Sequence, residues 1–264
     1  MKKLFITKIG GNVIDHPEEL RKFVADFAAQ PGLKILVHGG GKIASELAHK
    51  LGISQALVNG RRITDAETLK VTTMVYAGLL NKQIVALLQA SGSNALGLSG
   101  ADLNCIRTQK RQVEDIDFGF VGDMTEGSVD AGLLATFVDA GIIPVLCSVT
   151  HDGRGQLLNT NADTIASALA VSLSDRYEVQ LNYCFEKKGV LMDVNNEGSL
   201  ITRMNKTTYR KLVGEGVIAK GMIPKLDNSF DAITKGVKKV IIGHSADLSK
   251  MMTPHENPGT VLVG

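Results

Sequence analysis

Apolar positions in this chain follow two patterns, short continuous runs and stripes at helical spacing, and the two alternate. Leu4 to Thr7 is a run that predicts a strand, ended by the turn Gly10-Gly11-Asn12. A helix is expected from near Pro17, which suits a first helical turn because it has no N–H to leave unpaired. Glu18 and Glu19 in that turn favour the helix dipole, and Leu20, Phe23, Val24, Phe27 and Ala28 form one apolar stripe. Pro31-Gly32 ends it. Lys34 to His38 predicts a second strand running into Gly39-Gly40-Gly41, and Ile43, Leu47 and Leu51 stripe the next helix at four-residue spacing.

Asp65 to Ala90 reads as a long helix containing Gly78, Asn94 to Leu98 as a strand, and 102–128 as an irregular, hairpin-like region. Another helix is expected over roughly 129–140. Ile142 to Thr150 is continuously apolar, as in a central strand covered on both faces. Asp152-Gly153 supplies a tight turn, Gln156 to Asn159 a second short stretch, and a helix begins at about Ala162. Beyond come a strand (Tyr177 to Phe185), helices near 205–214 and 224–236, a strand (Val237 to Gly243) and a closing strand over 259–263. This alternation implies a mostly parallel sheet with helices on both faces.

Composition narrows the function. The 264 residues are 44% apolar and 21% charged, ordinary for a globular α/β protein. A net charge of +2 points to neither nucleic acid nor an anionic membrane as the main partner, and the absence of Trp gives no base-stacking surface. No apolar run approaches the roughly 18 residues of a membrane helix. Cys105, Cys147 and Cys184 have no CxxC spacing, so buried free thiols in a reducing, cytoplasmic setting are expected. The six His form no HxxxH or HxH pair, and no structural metal is expected.

Four clusters carry candidate chemistry. Lys8-Ile9-Gly10-Gly11-Asn12 and His38-Gly39-Gly40-Gly41-Lys42 both stand where a strand's carboxyl end meets a helix, the place where open α/β sheets bind ligands. Glycines there let backbone N–H groups approach an anion, although tight strand–helix joints use glycine for sterics alone. Neither turn is GxxxxGK[ST], and neither fits GxGxxG followed by an acid about 20 residues on. Asn159-Thr160-Asn161-Ala162-Asp163 opens a helix; one of these residues serves as N-cap, which leaves the others for another role. In Gly221-Met222-Ile223-Pro224-Lys225 a lysine stands in a helix's first turn, where the dipole disfavours it. Either Lys225 is a solvated surface residue or something nearby requires it.

Together these clusters resemble the amino-acid kinase family, most closely its N-acetylglutamate kinase branch. The matching stretches are KIGGN, LVHGGGK, NGRRIT (59–64), ALGLSGAD (95–102), GFVGD (119–123), IIPVLCSV, GQLLNTNAD and GMIPK, in order and spanning nearly the whole chain. The resemblance implies a three-layer α/β/α sandwich with a mostly parallel central sheet. An N-terminal lobe (1–174) would bind the acylamino acid and dimerise, and a C-terminal lobe (175–264) would bind the nucleotide. It further implies that Lys8 and Lys225 neutralise the phosphoryl group in flight and that Asp163 holds them. Gly40, Gly41, Arg62 and Asn159 would bind the acylamino acid, with Arg62 suited to a bidentate grip on a carboxylate. Gly10, Gly11, Glu186, Lys187, Lys188, Gly189, Val190, Leu191, Val217, Ile218 and Ala219 would border ATP. His38 is expected to be positional, because a carboxylate nucleophile needs no base. Mg²⁺ would ride with the nucleotide.

The implied reaction is ATP-dependent phosphorylation of the γ-carboxylate of an N-acyl-L-glutamate, in arginine biosynthesis. N-Acetyl-L-glutamate is the favoured acceptor; the rivals are N-succinyl-L-glutamate and a non-catalytic nucleotide-binding regulator on the same scaffold. A succinyl group would call for a cationic partner, for which Arg61 is a candidate. Relatives usually carry a Ser/Thr-Asp-Val-x-Gly turn where this chain has Cys184-Phe185-Glu186-Lys187-Lys188-Gly189, so nucleotide contacts there depart from the family's pattern. Lys220 also replaces a residue that is often Gly. Arginine-inhibited relatives have an additional N-terminal helix that joins dimers into a hexamer. With a first strand at about Leu4, the expectation is a homodimer that arginine does not inhibit.

Overall fold

The computed structural model describes residues 1–58, 61–218, 222–253, 256 and 258–264, and the side chain of Arg61 lies outside that set. In chain order, β1 (Lys3–Ile9) leads to α1 (Gly11–Asp15) and α2 (Pro17–Ala29), then to β2 (Leu33–His38) and α3 (Gly41–Lys50). A ribbon of β3 (Leu57–Val58) and β4 (Arg61–Arg62) precedes one long helical run: α4 (Ala66–Thr73), a π-helical segment (Met74–Leu80) and α5 (Asn81–Ala90). Next come β5 (Ala95–Leu98), a ribbon of β6 (Gln109–Lys110) with β7 (Gly122–Asp123), and α6 (Ala131–Asp139). β8 (Ile143–Cys147) is followed by the hairpin β9 (Val149–His151) and β10 (Leu157–Asn159), then by α7 (Ala162–Leu173) and β11 (Glu178–Phe185). The chain finishes with β12 (Arg203–Asn205), α8 (Lys206–Gly214), α9 (Ile223–Thr234), β13 (Lys239–His244), α10 (Leu248–Met252) and β14 (Thr260–Val263).

Eight strands make one sheet in the order β12-β14-β13-β11-β1-β2-β8-β5. Its pairs are parallel except β13 with β14, so the carboxyl ends of β1, β2, β8 and β11 emerge on one side. Period-two alternation sends Leu4 and Ile6 of β1 to one face, with α6, α7, α8 and α9, and Phe5 and Ile9 to the other, with α1, α2, α3, α5 and α10. The result is the expected three-layer sandwich. Lys34, at the start of β2, donates to the carbonyls of Phe27 (3.1 Å), Ala28 (2.9 Å) and Gln30, a buried cation on the free carbonyls that end α2.

Several expectations need correction. The run from Ile142 to Thr150 is two strands: β8 belongs to the main sheet, next to edge strand β5, and β9 belongs to a hairpin. They part at Ser148, whose carbonyl accepts from Thr160 N at 2.9 Å. Burial on both faces produced the apolar run, without making the strand central. On α3 the fully buried residues are Ala44 and Ala48, flanked by Ile43 and Leu47, and Leu51 is exposed. The short α10 and β12 were not anticipated, being too brief for periodicity to register. The run Ala66–Ala90 is 25 residues long and contains an 18-residue window with a mean hydropathy of 1.3, enough by length and composition to cross a bilayer. Here it packs on α2, β5 and β8, with 44% of that window buried.

Candidate active site

The carboxyl end of β1 defines the site. Lys8 lies level with Val37 of β2 and Tyr183 of β11, and alternation places its side chain on the face of Leu4 and Ile6. That face is covered by α7, whose N-cap is Asn161: its side chain accepts from the N–H groups of Asp163 (2.8 Å) and Thr164 (3.1 Å). Of the three polar candidates at this helix start Asn161 is the cap, and Asp163 is left free for other work.

Asp163 stands between two lysines. Its Oδ1 is 2.8 Å from Lys8 Nζ and its Oδ2 is 3.0 Å from Lys225 Nζ, and each lysine side chain is only 14% exposed. Burial alone would raise the Asp163 carboxyl; attraction to Lys8 and Lys225 outweighs it and holds the group well below the usual carboxylate range. Lys225 is lowered by burial, with Asp163 opposing the shift and Lys8 adding to it. Lys225 occupies the first turn of α9, behind Pro224, and Asp163 is what compensates for that disfavoured position. Its ammonium also lies 5.1 Å from the Tyr183 ring centroid and 5.4 Å from that of Phe185. Tyr183 in turn donates to the Asp163 carbonyl at 3.1 Å. The two aromatics were not singled out from sequence, although alternation along β11 places both on one face.

The glycine turns flank this group differently. Gly10 N donates to Cys184 O at 2.8 Å, and a Cβ there would meet that carbonyl at 3.1 Å, so close packing against β11 requires the glycine. Gly11 begins α1 and is exposed. Gly40 has φ +150°, and a Cβ on it would lie 2.3 Å from Leu80 Cδ1, so neither its backbone nor its surroundings admit a side chain. Gly41 opens α3, and its carbonyl accepts from Arg62 Nη2 at 2.8 Å.

Arg62 is braced on the first turns of α3, donating also to Ser45 Oγ (2.8 Å) and, through Nη1, to Gln55 Oε1. Thr64 links it to Asn159: Thr64 Oγ1 donates to Arg62 O at 3.4 Å and accepts from Asn159 Nδ2 at 3.1 Å. Gly41, Arg62 and Asn159 therefore form one connected polar surface. Its supports Ser45, Gln55 and Thr64 are distant in sequence and carried no signal of their own.

His38 ends β2 fully buried, with Nδ1 2.9 Å from Gly39 O and Nε2 3.2 Å from Asn81 Nδ2. Nδ1–H donates to the carbonyl and Nε2 accepts from the amide, so the ring is neutral. Burial pushes its pKa down to about 4, against a smaller upward effect of the Gly39 bond.

Past β11, Glu186 and Lys188 are exposed, and Lys188 pairs with Glu197 at 3.2 Å. Lys187 is half-buried. A Cβ on Gly189 would lie 2.7 Å from both Leu200 Cδ1 and Thr260 Oγ1. Val190, whose N–H donates to Thr260 Oγ1 at 2.8 Å, shares a buried cluster with Ile218; Val217 packs on its edge, and Leu191 is buried and bridges to Leu200. Ala219 and Lys220 lie outside the described residues. Among the described residues, no group of three or more His, Cys, Asp or Glu is placed to hold a metal.

Comparison with known proteins places the chain in a family. The model of the amino acid kinase family matches residues 3–244. The chain is 53% identical to the acetylglutamate kinase of Parabacteroides distasonis, covering 98% of this chain and 99% of the relative. It is also 53% identical to that of Cytophaga hutchinsonii, covering 100% and 99%. Among solved structures, the N-acetylglutamate synthase of Neisseria gonorrhoeae superposes with a TM-score of 0.84 at 22% identity. That match covers 100% of this chain, which spans 59% of the synthase's length. A Giardia carbamate kinase gives 0.68 at 11% identity, with 99% and 98% covered. With these matches over nearly its full length, this chain belongs to the amino acid kinase family.

Proposed function

We propose that this protein transfers the γ-phosphoryl group of ATP to the γ-carboxylate of N-acetyl-L-glutamate, in arginine biosynthesis. The observation that carries this reading is the Asp163 carboxylate held between Lys8 and Lys225 at the carboxyl end of the sheet. In such a transfer a carboxylate oxygen forms a bond to the γ-phosphorus while the bond to the β,γ-bridging oxygen breaks, and ADP leaves. No proton has to be removed. What the protein must supply is alignment and positive charge, and two lysines fixed by one half-buried carboxylate supply both.

The connected surface of Gly41, Arg62 and Asn159 supports acceptor binding on one side of the lysines, with Gly40 shaping the turn. The turn 186–189, with Gly11 and the Val190–Ile218 cluster, supports nucleotide binding on the other. In this reading lobe 1–174 carries the acceptor surface, lobe 175–264 carries most of the nucleotide surface, and Gly11 of the first lobe reaches across to it. Both Asp163 oxygens face lysines, so the residues present do not fit a resident metal; Mg²⁺ enters with the nucleotide, as part of the substrate. Three free, buried cysteines support a reducing, cytoplasmic setting. Exposed Leu51, Met74 and Leu79, all on the α3/α4–α5 side, support a homodimer through that face.

The test is incubation with MgATP, N-acetyl-L-glutamate and hydroxylamine, read as hydroxamate, with N-succinyl-L-glutamate in parallel. Hydroxamate with the acetyl compound is the expected result. A preference of more than about 10-fold for the succinyl compound, some 1.4 kcal/mol, overturns the choice of acceptor. No hydroxamate with either leaves the regulator.

A further inference from the structure

Asp15 closes α1, and its side chain is only 8% exposed. Its Oδ1 is buried with no hydrogen-bond partner. Its Oδ2 lies 4.0 Å from Nζ of Lys42, which stands 60% exposed in the first turn of α3. The same oxygen reaches back one helical turn, and a Cβ placed on Gly11 would lie 3.8 Å from it. A buried carboxylate therefore sits directly behind the backbone of the first glycine turn, facing the lysine that follows the second. Burial raises the Asp15 carboxyl, Lys42 opposes that, and Glu46 and His16 act in opposite directions.

A negative charge behind a polyphosphate-binding turn repels the ligand unless something compensates it. We propose that Lys42 is the counter-charge of Asp15, neutralising the carboxylate behind Gly11 so that this turn accepts the polyphosphate of a nucleotide. The pair also spans α1 and α3, the helices that begin at the two glycine turns. Lys42 is thus a positioning residue that acts on nucleotide affinity through Asp15. The inference rests on the kinase reading, in which Gly11 borders the phosphates.

The test is calorimetry with MgATP alone, which requires no acceptor, together with the KM for each substrate. Lys42→Met weakens MgATP binding about five-fold, the scale of a partly exposed ion pair, and Lys42→Arg binds like the parent. N-Acetyl-L-glutamate KM moves by less than about two-fold in both, which a merely structural lesion would not achieve. Adding Asp15→Asn to Lys42→Met restores MgATP affinity to within about two-fold of the parent, because the uncompensated charge is gone. Equal binding by the Met and Arg variants overturns the proposal, as does a double variant as weak as Lys42→Met. Should the Asp15 variants fail to fold, the Met–Arg contrast decides alone. A parent protein that binds MgATP without phosphorylating the acid sinks the acceptor assignment and leaves this inference standing. One that does not bind MgATP sinks both.

Discussion

Asp163, half-buried, and His38, fully buried, are both titratable groups at the carboxyl side of the sheet, and the pKa of each is driven down. The causes are opposite. Asp163 carries its charge because two lysines outweigh the cost of burial, and His38 loses its charge because burial acts nearly unopposed. One group is built to hold charge where phosphoryl transfer needs it. The other is built to stay neutral so that it can accept from Asn81 and keep the second glycine turn in place. Position in the fold does not decide between these roles; the charged neighbours do.

The comparison breaks most visibly at the lysines. Lys8→Ala or Lys225→Ala lowers kcat by about 10²–10³, the scale of losing one preorganised donor, with far smaller changes in either KM. Steady-state kinetics reads this, and near-parental kcat in both variants removes Asp163 from the catalytic group. The next effect is on stability. An unfolded His38 takes up a proton below pH 6.5 while the folded ring stays neutral down to about 4. Stability is therefore lost as pH falls from about 6.5 to 4, by about 3 kcal/mol from this group. Asp163 behaves otherwise. Its folded pKa is depressed, so its contribution is intact above the unfolded value near 3.8 and is lost only as pH falls further. Urea midpoints at pH 7, 5.5 and 4.5 fall in the parent and flatten in His38→Gln, whereas Asp163→Asn leaves the slope over that window unchanged. Smallest is the helix cap beside Asp163. Asn161→Ala removes the one oxygen that accepts from two N–H groups and costs about 1 kcal/mol, seen as a drop of a few degrees in Tm.

Much of this was legible beforehand, for identifiable reasons. Lys8, Asp163 and Lys225 stand at element ends, and lysine at a helix start conflicts with the dipole, so local chemistry marks the position. The turn at Gly40 was visible because no other residue tolerates that backbone and that approach of Leu80. The supports were not visible. Tyr183 and Phe185 beneath Lys225, Asn81 beside His38, and Ser45 and Gln55 around Arg62 are set by register and packing between segments far apart in the chain. The break at Ser148 was hidden because a buried hairpin strand and a buried sheet strand share the same apolar run. Lys42, noted only as part of a glycine turn, gained meaning once Asp15 was found facing it.

The π-helical segment Met74–Leu80 has a consequence for how this chain tolerates insertion and deletion. Within it Asn81 N–H reaches back five residues, to Tyr76 O, so one residue more than an α-helix needs is wound into the turn. The wide turn takes up that residue, so the phase between α4 and α5 is kept. With it, Val71 before the segment, Val75 within it, and Ile84 and Leu88 after it all face the same core, and Asn81 arrives at His38. Removing Gly78, an exposed residue with no neighbour within 4 Å of where its side chain would begin, would look harmless from its surroundings. The deletion would also close the wide turn to an α-helical one, so that α5 keeps its phase with α4 and Asn81 stays at His38. Replacing Gly78 with Ala leaves the phase intact. At this position the wide turn absorbs a change in chain length that a plain α-helix would pass on as a rotation.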